Sequence, residues 1–405
     1  MSKLILSAYW TKFASFFPRN VAPNTITLSG LGFVVFNFLT LLYYDYSYKG
    51  ETGGASGPPQ WVYFTWGIGL FLYQTFDACD GKQARKTGMA GPLGEMFDHG
   101  CDALNTTLEV ILTLRALDLT RSWWGIASIV ATAGSFYLTT WEEFHTGTLY
   151  LGVFSGPVEG ILIVCCIYFI TGIFGPSVWN LPLLSLPVLS TITSMEPLEN
   201  LIPLSMHYLP MNIAFMIFGA FGLAFNIITA YGNVVTTLKK GQSVLLPLLR
   251  LMPFCVSVAL HVAFASSPLA GKPKKDLVHS PLVLPYMCFW GLEFAHQVGR
   301  MITAHVTKTP FPYWDPMWVW IAIGALDGHA RAIFGRAPLI QATPLGQNTF
   351  VMLSLAISLY SYGRFCYLVI KDITEYLGIA CFTVRKKDSR GVWRNVWEIE
   401  AEKNQ

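Results

Sequence analysis

The sequence predicts an all-α polytopic membrane protein with about ten transmembrane helices. Three observations carry that expectation. Hydrophobic residues fill 53% of the 405 positions and charged ones only 13%, against about 25% charge in an ordinary soluble domain. Apolar stretches of roughly the 20 residues that cross a bilayer recur along the whole chain. Lysines and arginines gather at alternate junctions between those stretches. So few charges could not clothe two or three soluble domains of this total length. A net charge of only +3 gives no surface for nucleic acid.

Residues 1–23 read as an amphipathic helix lying in the interface, with Lys3, Trp10 and Lys12 of "SKLILSAYWTKFASFF" as anchors. They lack the short apolar core and small-residue cleavage site of a signal peptide. Spans are expected at 24–44, 61–85, 92–117, 122–141, 156–174, 210–237, 244–265, 280–303, 313–334 and 347–370. The second, third and ninth are weak by hydropathy because each carries charges. Pro/Gly-rich links such as "FPRNVAPN" and "GETGGASGPPQ" separate some spans, and the polar tail, 386–405, is expected to be loose. Lys3, Lys12 and Arg19 precede the first span; Lys82, Arg85 and Lys86 close the second; Lys239 and Lys240 follow the sixth. Lys371, Arg385, Lys386 and Lys387 follow the tenth. An even number of spans places all of these, and both termini, in the cytosol. "AGKPKKD" at 270–276 would be lumenal and is the exception. Of the eight cysteines, Cys165, Cys166, Cys255, Cys288 and Cys366 fall in apolar runs and read as buried small hydrophobes, not as a disulfide framework.

One stretch contradicts its surroundings. "DACDGKQARKTGMAGPLGEMFDHGCD", from Asp77 to Asp102, holds four aspartates between two spans. "KTGMAG" turns the chain near Met89, and Pro92 suits the first position of the next helix, where its missing N–H costs nothing. Asp77 and Asp80 (i, i+3) then share one helix face, as do Asp98 and Asp102 (i, i+4). At roughly 1.5 Å per residue, Asp80 is level with Asp98 and Asp77 with Asp102, so all four carboxylates can converge inside the membrane boundary. Uncompensated, they would repel and cost several kcal/mol each. Hard oxygen ligands without cysteine or paired histidine point to Mg²⁺, with Mn²⁺ as a substitute. Four aspartates suit two such ions, which clamp the attacking and leaving oxygens of a phosphoryl-type displacement. Ala78, Gly81 and Ala84 make one small-residue line on the first helix and Gly94 faces it, so a flat ligand can approach closely. Arg85 can fork onto a phosphate oxygen.

The order Asp77-x₂-Asp80-Gly81-x₂-Ala84-Arg85-x₈-Gly94-x₃-Asp98-x₃-Asp102 resembles, without gap or substitution, the signature of the CDP-alcohol phosphotransferase family. "APNTITLSG" (22–30), "WEEFHTGTLYLG" (141–152) and "GPVEG" (156–160) are similar to the eukaryotic choline/ethanolamine phosphotransferase branch. The resemblance covers most of the chain and is strongest over about 20–240. It implies a six-helix catalytic core (24–240, spans one to six) with four further helices (241–385) offering an acceptor or homodimer surface. It also implies transfer of phosphocholine or phosphoethanolamine from CDP-choline or CDP-ethanolamine, arriving from the cytosol, to the hydroxyl of diacylglycerol, arriving through lipid, with release of CMP. The compartment implied is the endoplasmic reticulum membrane, or the Golgi. Asp77, Asp80, Asp98 and Asp102 become the ligands of two Mg²⁺ ions. Asn24, Asp77, Gly81, Ala84, Arg85 and Gly94 become the CDP-alcohol contacts.

The resemblance leaves His99 and Asp102 as candidates for the base that takes the acceptor's proton. His99 is favoured, because a metal-bound aspartate is a weak base whereas imidazole titrates near neutrality. Several other groups have structural readings. Lys82 and Lys86 read as topology anchors. Glu142, Glu143 and His145 either shape the alcohol or acceptor pocket or form an inert interfacial cluster. Glu159, Glu293, His296, Arg300, Asp327, His329 and Arg331 also lie in or near the membrane, where Glu293/Arg300 and Asp327/Arg331 are expected to be ion pairs. The rival functions are another CDP-alcohol specificity, such as inositol transfer, a lipid-binding scaffold without activity, and a cation transporter. The last would spread its acids over several helices near the midplane.

Overall fold

A computed structural model describes residues 2–50, 57–148, 157–186, 203–238 and 242–403. The last four residues of "WEEFHTGTLYLG", the first residue of "GPVEG" and the pair Lys239/Lys240 lie outside the described residues. Eleven helices carry the architecture up to Leu377: α1 Ser2–Ser15, α2 Pro23–Asp45, α3 Gln60–Lys86, α4 Pro92–Ala116, α5 Trp123–Thr146, α6 Pro157–Phe174, α7 Met211–Thr237, α8 Met252–Ala265, α9 Val283–Thr307, α10 Met317–Gly328 and α11 Pro344–Leu377. Short helical turns and two small hairpins complete it: β1 Pro268–Leu269 with β2 Lys272–Asp276, and β3 Arg385–Lys387 with β4 Trp393–Asn395. A last helix, α12, covers Val396–Lys403.

Each of the ten expected spans contains a helix, and the molecule is an all-α polytopic membrane protein. Among the described residues, four stretches are long and apolar enough to cross a bilayer alone: α2, α7, α11 and Leu245–Ala265, which joins a short leading turn to α8. α6 and α10 are apolar but shorter, whereas α3, α4 and α9 are less hydrophobic for a visible reason. Helices α3, α4 and α9 turn Gln74, Asp80, Asn105, Glu109, Glu293 and Gln297 into the interior. Lipid is met instead by exposed apolar residues, such as Phe36 and Leu39 of α2 and Phe218, Phe221 and Ile228 of α7. This inside-out distribution is what a bilayer solvent permits.

α2 packs on α3 and α4, α3 on α6, and α4 on α5; α5 also packs on α7. A Cβ on Gly30 would come within 3.1 Å of Phe76, which shows how close α2 and α3 run. The later helices are not a separate unit. α9 lies along α4, α5 and α11, and a Cβ on Gly291 would strike the Thr107 side chain at 2.3 Å. Tyr362 of α11 donates to the Gly100 carbonyl of α4 at 3.2 Å.

Several expectations give way. Glu293 does not pair with Arg300: it accepts from Ser257 (2.9 Å) and faces His261 (3.6 Å), while Arg300 pairs with Asp315 (3.1 Å). Asp327 leaves Arg331 aside and accepts the backbone N–H groups of Leu339, Ile340 and Gln341. Those partners come from distant parts of the chain and were invisible to helix spacing. The ninth span starts at Met317 and breaks at His329, whose Nε2 meets the Ala263 carbonyl at 3.0 Å. All eight cysteines are free, but Cys166 and Cys255 are exposed on the outer face, where lipid suits a thiol as well as a core does. The tail beyond 386 is ordered into β3, β4 and α12.

Candidate active site

The site is built on the α3–α4 hairpin, and local sequence explains the turn. α3 ends in a Schellman motif: Met89 N–H donates to the Ala84 carbonyl (2.8 Å) and Gly88 N–H to Arg85 (3.4 Å), with Gly88 at φ +65°. A residue without Cβ is favoured in that left-handed position. Pro92 then opens α4 at its first turn. The two helices run antiparallel, and each presents its aspartates to the other.

One carboxylate oxygen each from Asp77, Asp98 and Asp102 lies within 4.8 Å of the others. Gln74 Nε2 donates to Asp77 Oδ2 at 3.0 Å, and the Tyr73 hydroxyl donates to Asp102 Oδ1. Asp98 Oδ1 is buried with no partner. Asp80 is not in the three-acid group: Thr27 of α2 donates its hydroxyl to Asp80 Oδ2 and holds that carboxylate on the α2 side. Ionised carboxylates this close repel by about 3 kcal/mol per pair at an effective dielectric of about 20. A cation held by Asp77, Asp98 and Asp102 would remove the repulsion and could satisfy the orphan oxygen. The donor set, all hard oxygen, therefore fits a divalent metal of the Mg²⁺ or Mn²⁺ type.

The space beside the acids is open. A Cβ on Gly81 would meet nothing nearer than Arg85 Nη1 at 3.8 Å, and one on Gly94 nothing nearer than Asn24 Oδ1 at 3.9 Å. Arg85 thus reaches back over Gly81, and buried Asn24 stands above Gly94. Ala84 is buried near the C-terminal end of α3. His99, on the same helix as Asp98 and Asp102, also borders α5, where its Nδ1 lies 3.9 Å from Glu143 Oε2.

Thr27, Tyr73 and Gln74 were not anticipated. A faint signal exists for the last two, an adjacent polar pair one turn before Asp77 in the apolar run "GIGLFLYQTF". Thr27 follows Asn24 by one turn in "APNTIT" and was hidden behind it. Asn105 also went unnoticed: it sits one turn below Asp102, buried, with its Oδ1 unpartnered.

Residues 20–193 match the family model described as CDP-alcohol phosphatidyltransferase. Cholinephosphotransferase 1 of Saccharomyces cerevisiae is 34% identical over 95% of this chain and 92% of its own length. Choline/ethanolaminephosphotransferase 1 of Arabidopsis thaliana is 37% identical over 96% of this chain and 94% of its own. The chain belongs to the CDP-alcohol phosphotransferase family. Its family-model match runs from the entry to α2 past α6 and so contains the acid cluster; the alignment to the named relatives runs on through α7–α11. Metal dependence is a property of the CDP-alcohol phosphotransferases, in keeping with the donor set formed by Asp77, Asp98 and Asp102.

Proposed function

We propose that this CDP-alcohol phosphotransferase moves phosphocholine, phosphoethanolamine or both from the corresponding CDP-alcohol to the hydroxyl of diacylglycerol, giving phosphatidylcholine or phosphatidylethanolamine and CMP. The observation that carries the proposal is the convergence of Asp77, Asp98 and Asp102, with an orphan oxygen on Asp98, beside open room at Gly81 and Gly94. Support for the two alcohols comes from the names and near-complete coverage of the relatives.

Asp77, Asp80, Asp98 and Asp102 would hold two Mg²⁺, which supply charge neutralisation at the diphosphate and its leaving oxygen. Arg85, placed above Gly81, binds a phosphate oxygen; Asn24, Ala84 and Gly94 border the CMP half. The acceptor oxygen attacks the phosphorus that carries the alcohol, the bond from that phosphorus to the bridging oxygen breaks, and CMP leaves with the electron pair. The acceptor's proton passes to His99. With Nδ1 turned to Glu143, Nε2 is the nitrogen that receives it, and Glu143 stabilises the imidazolium through the 3.9 Å approach. Asp102, already accepting from Tyr73, is a ligand and not the base.

The joining of a water-soluble nucleotide to a lipid alcohol explains acids set just below a membrane boundary. By the positive-inside rule the α3–α4 turn, with Lys82, Arg85 and Lys86, faces the cytosol, as do both termini. The endoplasmic reticulum, or the Golgi, is the compartment that fits lipid synthesis, and the surface of α8–α11 is the place for a homodimer contact. Purified protein in lipid nanodiscs should release CMP only when CDP-choline or CDP-ethanolamine, diacylglycerol and Mg²⁺ are all present. CMP release that does not need diacylglycerol would overturn the proposal, and competition between the two donors measures which alcohol is preferred.

A further inference from the structure

The chain after α11 returns to the site. α11 has 34 residues, about 51 Å at 1.5 Å per residue, against a hydrocarbon core of about 30 Å. It therefore projects well past the membrane before Gly378, at φ +61°, reverses the chain. The segment that follows lies across the mouth of the acid cluster. Asn24 Nδ2 donates to Cys381 Sγ at 3.4 Å, and Thr25 Oγ1 donates to the Phe382 carbonyl at 3.5 Å. The Phe382 ring stands edge-on to Phe97, centroids 5.5 Å apart, next to Asp98 in sequence. Lys386 Nζ donates to the Gly88 carbonyl at 2.6 Å, a cation on the C-terminal end of α3. Below these, Ala22, Met89, Val384 and Val396 share a small buried cluster, with Ile379 packed on it.

Those contacts touch the pieces that frame the nucleotide end in the function proposed above: Asn24, the Gly88–Met89 turn and the entry to α4. Phe382 itself stays 48% exposed although its neighbours Cys381 and Val384 are buried. Its ring is an open aromatic face beside a polar mouth, and such faces take nucleobases by stacking.

We propose that the segment Ile379–Val396 forms the cytosolic wall of the CDP-alcohol site, with Phe382 as the stacking partner of the cytosine and Cys381 and Lys386 as positioning residues for Asn24 and the α3–α4 turn. This rests on the reading of the site as a CDP-alcohol site, so binding and turnover are measured separately. Equilibrium binding of CMP with Mg²⁺ to the full-length protein in nanodiscs reads the wall; transfer to diacylglycerol by the same preparation reads the activity.

Phe382→Leu keeps apolar bulk against Phe97 and removes the aromatic face. It should weaken CMP about tenfold, raise KM for the CDP-alcohol in step, and leave KM for diacylglycerol within twofold. Phe382→Trp should restore CMP binding. Lys386→Met should weaken CMP without rescue by any change at Phe382. Unchanged CMP affinity in Phe382→Leu overturns the wall, as does a parallel rise in both KM values. CMP binding that responds to Phe382 in a protein without transfer activity would keep the wall and remove the assigned reaction.

Discussion

Asp45 of α2 and Arg115 of α4 form a buried ion pair at 2.8 Å, each only 3% exposed, at the end of the bundle opposite the aspartate cluster. Both helices deliver residues to the site, so this pair fixes their relative depth from below. A Cβ on Gly57 would come within 2.0 Å of Arg115 Nη2, which shows how closely Gly57 approaches the pair. Arg115→Met leaves the Asp45 charge without its main partner and should cost about 3–5 kcal/mol, most of it recovered by adding Asp45→Leu. Thermal unfolding midpoints of the single and double variants in detergent check this; equal midpoints would remove the pair from the account.

Thr27 acts on the metal site from a neighbouring helix. Thr27→Val keeps the shape and deletes the hydroxyl that holds Asp80. Loss of such an orienting contact typically costs 10–100-fold in metal affinity or activity. The Mg²⁺ concentration for half-maximal turnover should therefore rise by roughly 10–100-fold, and Thr27→Ser should return it to normal. An unchanged Mg²⁺ titration in the valine variant would contradict the role.

Tyr73 makes the equivalent contact to Asp102. Tyr73→Phe should shift the Mg²⁺ titration in the same direction by a similar factor. Combined with Thr27→Val, the losses should multiply, since the two hydroxyls serve different carboxylates. A double variant no worse than either single one would indicate one shared effect.

The choice between two bases is testable at His99. His99→Ala should lower turnover about 10²–10⁴-fold while CMP affinity stays within twofold. Glu143→Gln should produce a smaller loss of turnover with CMP affinity unchanged, because the carboxylate beside Nδ1 that orients the ring is gone. Retained turnover in His99→Ala would return the proton to Asp102.

Gly291 reports on how the later helices bear on the catalytic ones. Gly291→Val drives a branched side chain into Thr107 of α4, where even a Cβ would sit 2.3 Å away. Overpacking of that kind typically costs 1–3 kcal/mol, and here it displaces the helix that carries Asp98 and Asp102. The unfolding midpoint and the turnover should fall together. A stable, fully active variant would mean that α9 and α4 are independent.

The hairpin was legible in the sequence because local rules govern it: Asp spacings of three and four, a glycine for the left-handed turn, and Pro92 at a helix start. The apolar stretches likewise mark their own helices to within a few residues. Sequence spacing failed where partners come from elsewhere in the chain. It paired Glu293 with Arg300, whereas burial matched Glu293 to Ser257 and His261 and gave Arg300 to Asp315. It gives no hint of Thr27, whose hydroxyl holds Asp80 from α2. The tail looked loose because its charges hide short β strands and a four-residue apolar cluster that has meaning only against the α3–α4 turn.

The bond between Lys386 and Gly88 joins residues 298 positions apart. The early helices carry every aspartate of the cluster, yet the lysine that clamps their turn is synthesised only after all of α1–α11. Closing the entrance around the α3–α4 turn is thereby a late step of folding, set by the order in which the chain is made.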